Sequence, residues 1–140
     1  MRCLASLLLA TIGSIWCSVV QAEPGSLQSL PGEWHQVASS AGRCVHCKIV
    51  VASDGRDFTV TASNGWSAVI RPSFQGKDYA AGKGHWEPNV GGSYGGRAFH
   101  LNLGFLDDKL LMLMMVPGPN GQLHSVKAVF KKESAPGETF

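Results

Sequence analysis

The sequence predicts an all-β protein: an antiparallel eight-stranded up-and-down barrel behind a cleaved signal peptide. Three observations carry that prediction. After residue 22 the chain runs in short segments that alternate apolar and polar side chains, with no helical stripe among them. Turn pairs rich in Gly, Asn, Asp and Pro separate the segments. No connection is long enough for the crossover that a parallel strand pair requires. A two-sheet β-sandwich is the alternative arrangement of the same strands. Closing the sheet into a barrel has the advantage of removing its exposed edges.

The first residues, MRCLASLLLATIGSIWCSVVQAEPGS, place one basic residue, Arg2, ahead of an apolar run from Leu4. A small-residue site follows at Val20-Gln21-Ala22. That order is a secretory signal peptide over residues 1–22, cleaved after Ala22. Its strongly apolar part is short for spanning roughly 30 Å of hydrocarbon. Bulky Trp16 ahead of Cys17 argues against a lipid-modified cysteine. The expected location is therefore periplasmic or secreted, with no membrane span.

Removal of the leader takes Cys3 and Cys17 with it and leaves Cys44 and Cys47 in an oxidising compartment, where thiols tend to pair. The whole chain has 12 Lys+Arg against 10 Asp+Glu, and loss of Arg2 brings these closer to balance. No basic run remains beyond the pair Lys131-Lys132, so no nucleic-acid partner is expected. Residues 23–31 read as a flexible N-terminal segment, 32–132 as one barrel domain and 133–140 as a flexible tail.

The strands follow in order. GEWHQVAS (32–39) starts after Leu30-Pro31. KIVVAS (48–53) ends in Asp54-Gly55. DFTVTAS (57–63) puts Phe58, Val60 and Ala62 on one face. Asn64-Gly65 turns the chain into WSAVIRPS (66–73), and that pair is a hairpin signal because both residues accept positive φ. DYAAGKGHW (78–86) is a weaker strand, because glycines interrupt it. RAFHLNLGF (97–105) directs Arg97, Phe99, Leu101, Leu103 and Phe105 one way. Leu106-Asp107-Asp108 leads into KLLMLMMV (109–116), and Pro117–Gly121 into QLHSVKAVFKK (122–132). In the last strand Val126, Ala128 and Phe130 face in, and Lys127 and Lys131 face out.

The opening LPGEWHQV places Gly32-x-Trp34 at the start of the first strand. This resembles the Gly-x-Trp signature of the calycins, the lipocalin, avidin and fatty-acid-binding-protein group of small up-and-down barrels. The resemblance implies that Trp34 closes one end of the barrel. It also implies that a basic residue of the last strand, Lys127 or Lys131, packs over it.

Cys44-Val45-His46-Cys47 is the segment richest in chemistry. Residues three apart on an extended strand lie roughly 10 Å apart and point to opposite faces, whereas a disulfide needs Cα atoms within about 7 Å. Pairing therefore requires a turn at Val45-His46, with the strand starting near Cys47. Haem attachment would need histidine where Lys48 stands. Thioredoxin-like chemistry would need a following helix, and zinc two further ligands. A structural disulfide is the expected reading, with no metal. A soft metal site of Cys44, His46 and Cys47, supplemented by methionine, and a redox pair stay open.

Met112, Met114 and Met115 divide between the two faces of their strand, which is a packing pattern. The outer face, Leu111, Leu113 and Met115, needs a cover. That cover is either a second copy, giving a homo-oligomer through residues 109–116, or the Glu23–Leu30 segment. The histidines are scattered singly, and Asp107-Asp108 sits in a turn, so no catalytic constellation is expected. Inward aromatics either fill a barrel or line a cavity. The expected function is a lipocalin-like, non-catalytic carrier of a small apolar ligand held by Trp34, Trp66, Trp86 and Phe99, with no cofactor. The alternatives are a protein-interaction module, such as an inhibitor or envelope assembly factor using the 89–96 loop and the 110–116 strand, and the copper or redox protein.

Overall fold

The computed structural model describes residues 17–18, 25–73 and 78–133. The expected signal peptide, apart from residues 17–18, and the tail beyond Glu133 lie outside the described residues. The strands are β1 (Gly32–Ser39), β2 (Lys48–Ser53), β3 (Phe58–Ala62), β4 (Trp66–Pro72), β5 (Tyr79–Trp86), β6 (Ala98–Leu106), β7 (Lys109–Pro117) and β8 (Leu123–Lys132). They form a closed barrel in sequence order. Each strand pairs antiparallel with the next, and β8 closes on β1 through Trp34↔Lys132 and His35↔Lys131. The barrel, rather than the sandwich, is the arrangement these strands adopt.

Alternation builds the core directly. Val60, Ile70, Leu101, Leu103, Leu110 and Val116 are fully buried, and each lies two or four residues from another buried side chain on its own strand. Together they fill the middle of the barrel.

The glycines of β5 sit in the ladder rather than breaking it. A Cβ at Gly84 would come within 2.7 Å of Phe99 Cε2 and of Ala68 Cβ. The missing side chain therefore makes room for an aromatic ring on the neighbouring strand. The Asn64-Gly65 turn also differs from expectation. Only Gly65 takes positive φ, at 99°, and its N–H donates to the Ala62 carbonyl at 3.3 Å. This is a three-residue connection with glycine at its left-handed position, not a two-residue turn.

One end of the barrel is plugged. Residues 27–29 form a single 3-10 turn, and Leu30 behind it is fully buried. The segment expected to be flexible is thus packed from Gly25 onward. Trp34 Nε1–H donates to the Leu30 carbonyl at 2.9 Å, and the Trp34 ring meets Phe105 at 5.8 Å between centroids. Lys132 Nζ lies 5.4 Å from the Trp34 ring centroid and donates to the Ser29 carbonyl at 2.6 Å.

The basic residue over the tryptophan is therefore Lys132, not Lys127 or Lys131. Strand parity explains the correction: Val126, Ala128 and Phe130 are buried, so residue 132 continues their face and 127 and 131 point away.

The outer face of β7 is partly open, with Leu111 exposed and Leu113 and Met115 half-buried. The described part of the N-terminal segment lies at the plugged end, where the Gly25 backbone approaches the Asp107 carbonyl and Phe105.

Candidate functional site: the open mouth of the barrel

The end opposite Trp34 carries the β1–β2, β3–β4, β5–β6 and β7–β8 connections. Between them lies a cavity of about 300 Å³, at the small end of the roughly 300–1,000 Å³ range usual for ligand sites. Its inner surface is apolar: Ile49, Met112, Met114, Val126 and Phe130 line it from β2, β7 and β8. The neighbouring wall is aromatic, with Trp66, Trp86 and Tyr94.

Two local devices shape this mouth. The β1–β8 register shifts between Gln36 and Ala38. A bulge there leaves Val37 and Ala38 exposed and directs both Gln36 and Ser39 to the cavity. The second device is the glycine-rich stretch. Gly91, at φ 79°, starts the 3-10 turn Gly92–Tyr94, and a Cβ on it would lie 2.7 Å from Trp86 Cζ3. The backbone thus rests on the indole, and Tyr94 stacks on the same ring at 5.9 Å and 23°. Of the glycines from 91 to 96, Gly91 is the one that lines the cavity among the described residues.

Cys44 and Cys47 form a disulfide with Cα atoms 5.4 Å apart. Val45 and His46 make the turn, and the Cys47 N–H points to the Cys44 carbonyl at 3.5 Å. Strand β2 then begins at Lys48, one residue beyond the bridge. Both half-cystines line the cavity, whereas His46 is exposed at the tip of the turn and is not part of the lining.

The four aromatic candidates separate. Trp66 and Trp86 are register partners on β4 and β5 and both line the cavity. Phe99 lies behind Trp66, edge-on at 5.6 Å and 90°, and supports the wall without lining it. Trp34 belongs to the plug. Sequence reading did not single out Gln36, Ser39 or Arg43 as lining residues. The bulge, which moves Gln36 and Ser39, leaves no mark on composition.

The chemistry of the lining is simple. Among the described residues it contains two cationic residues, Arg43 and Lys48, and no Asp, Glu or His. The Lys48 ammonium is engaged outside the barrel, 3.1 Å from Glu33 Oε1. Arg43 has no carboxylate partner among the described residues. Trp86 is 7% exposed, and its Nε1–H is buried without an acceptor among the described residues.

A separate cluster, Glu33, His35 and Glu133, sits on the barrel exterior. His35 Nε2 lies 2.9 Å from Glu133 Oε2 and 3.3 Å from Glu33 Oε1. The hydrogen bond from Lys48, followed by that with Glu133, lowers the Glu33 pKa below the usual glutamate range. With Lys48 already on Glu33, this is an ion-pair network that ties β1 to β2 and to the end of β8.

Comparison with known proteins finds no matching family model, no matching curated protein and no matching solved structure. Among the described residues no helix is long and apolar enough to cross a membrane.

Proposed function

We propose that this chain is a non-catalytic, periplasmic or secreted binding protein of the lipocalin-like kind, which holds a small apolar ligand in the mouth of its barrel. The observation that carries the reading is the division of the interior. One end is plugged by Leu30, Trp34 and Phe105, and the other keeps a cavity of about 300 Å³ against Trp66, Trp86, Met112 and Met114. Apolar concave sites with a few polar groups at the rim are the usual form of small-molecule sites. The calycin resemblance agrees with this, since a Gly-x-Trp tryptophan under a last-strand cation is what that group uses to close a barrel. The described lining residues offer no carboxyl or imidazole group for acid–base chemistry.

Val126, which lines the cavity, offers the test. Val126→Phe fills the space, so an apolar dye whose binding quenches tryptophan fluorescence binds the native protein and not the variant, with far-UV circular dichroism unchanged. Equal dye binding by both proteins overturns the proposal.

A soft-metal reading is favoured by one observation: Met112, Met114 and both cysteines line the same cavity. It requires the disulfide to be reduced, because only thiolates ligate. Failure of the reduced protein to retain Cu(I) against a chelator would remove it.

A further inference from the structure

The mouth cavity also restricts what kind of ligand it accepts, an inference that rests on the binding reading above. We propose that the ligand is a small aromatic acid, with its ring against the Trp66–Trp86 wall and its anionic group at the rim beside Arg43.

Depth comes first. Beneath Trp66 the interior is filled by Phe99, and further in by Val60, Ile70, Leu101 and Leu103, all at most 2% exposed. That side of the barrel is closed to a ligand, and the space of about 300 Å³ left in front of it suits one or two fused rings. The wall then favours a flat partner. Trp66 and Trp86 each make a ring contact, with Phe99 and Tyr94 respectively, and aromatic surfaces gain from offset or edge contacts with a further ring.

Charge sets the other end. Among the described residues, Arg43 is the one lining cation whose charge is not already matched, given that Lys48 is held by Glu33. No carboxylate among the described lining residues opposes an anion there. A guanidinium binds a carboxylate through two parallel N–H donors, which orients as well as attracts it.

The indole of Trp86 supplies an independent reason. A buried N–H without an acceptor is costly and rare, and Trp86 Nε1 is in that state in the described structure. Trp86 also lines the cavity, so a ligand oxygen that reached the indole would satisfy it, which a pure hydrocarbon cannot do.

The test compares three probes by isothermal titration: 2-naphthoate, its neutral methyl ester, and decanoate. The acid is expected to bind about tenfold more tightly than the ester, as one charge-assisted contact implies, and more tightly than decanoate. Arg43→Gln, at an exposed rim position, should erase the difference between acid and ester without changing thermal stability. Trp86→Phe should weaken the acid several-fold. If the ester binds as well as the acid, or Arg43→Gln changes nothing, the acid inference falls while the cavity reading stands. Tighter binding of decanoate than naphthoate also overturns it. If no probe binds, both fall.

Discussion

Lys132 Nζ stands 5.4 Å from the Trp34 ring centroid while donating to the Ser29 carbonyl at 2.6 Å. One side chain from the last strand thereby holds both the first strand's tryptophan and the N-terminal 3-10 turn. The barrel is sealed where the start of β1 meets the end of β8.

Removing that cation should loosen the plug without emptying the core. Lys132→Met keeps the aliphatic stem and loses the cation–π and hydrogen-bond contributions, for an expected loss of about 1 kcal/mol. Trp34→Ala removes a buried ring and should cost about 3–5 kcal/mol. Urea denaturation followed by circular dichroism measures both. A Lys132→Met variant as stable as the native protein would show that the cation rests on Trp34 without contributing.

The mouth should respond to Gly91 in a different way. Its φ of 79° is unfavourable for any Cβ, and that atom would also press on the Trp86 ring. Gly91→Ala is expected to cost about 1–3 kcal/mol and to shift the tryptophan emission as the indole moves. The ring displacement should also lower affinity for any cavity ligand. Native-like emission and binding in this variant would mean that the loop adapts without disturbing the wall.

The exterior network predicts a pH dependence. Lys48, then Glu133, hydrogen-bond to Glu33 and hold its pKa down in the folded state. A depressed carboxylate contributes stability that is present above its unfolded pKa and lost as pH falls through the folded value. Thermal midpoints should therefore fall on acidification below the ordinary glutamate range. Lys48→Met should flatten that part of the curve while leaving the slope above it unchanged. The group is solvent-exposed, so the effect should be modest and should shrink further in high salt.

Much of the fold was legible because period-two alternation is a strong signal. β1 and β2 match their expected limits at Gly32–Ser39 and Lys48–Ser53, and Met112 and Met114 face in as the alternation implies. The same parity would have selected Lys132 over its neighbours. The site was less legible. Trp34, Trp66, Trp86 and Phe99 are all buried aromatics at inward positions, and nothing local distinguishes a ring in the plug from one in the mouth. That distinction comes from which strand ends share a rim, a property of closure. Gln36 and Ser39 reach the cavity through a bulge that depends on the pairing of β1 with β8, and no short window of sequence contains that pairing.

The disulfide yields the last prediction, because it ties the rim to the strand below. Cys47 is buried and adjoins β2, whereas Cys44 continues into the exposed residues 41–43. The bridge therefore holds Arg43 near the cavity. Closing so short a loop restricts the unfolded chain only modestly, so reduction or Cys44→Ser with Cys47→Ser should cost about 2 kcal/mol, leaving the barrel folded. The effect on binding should exceed the effect on stability, since residues 41–44 line the mouth and lose their tether. Titration of one probe into oxidised and reduced protein, well below the melting temperature of each, separates the two effects. If affinity is unchanged by reduction, the bridge is only a turn clip and the rim is held by the β1 and β2 backbone alone.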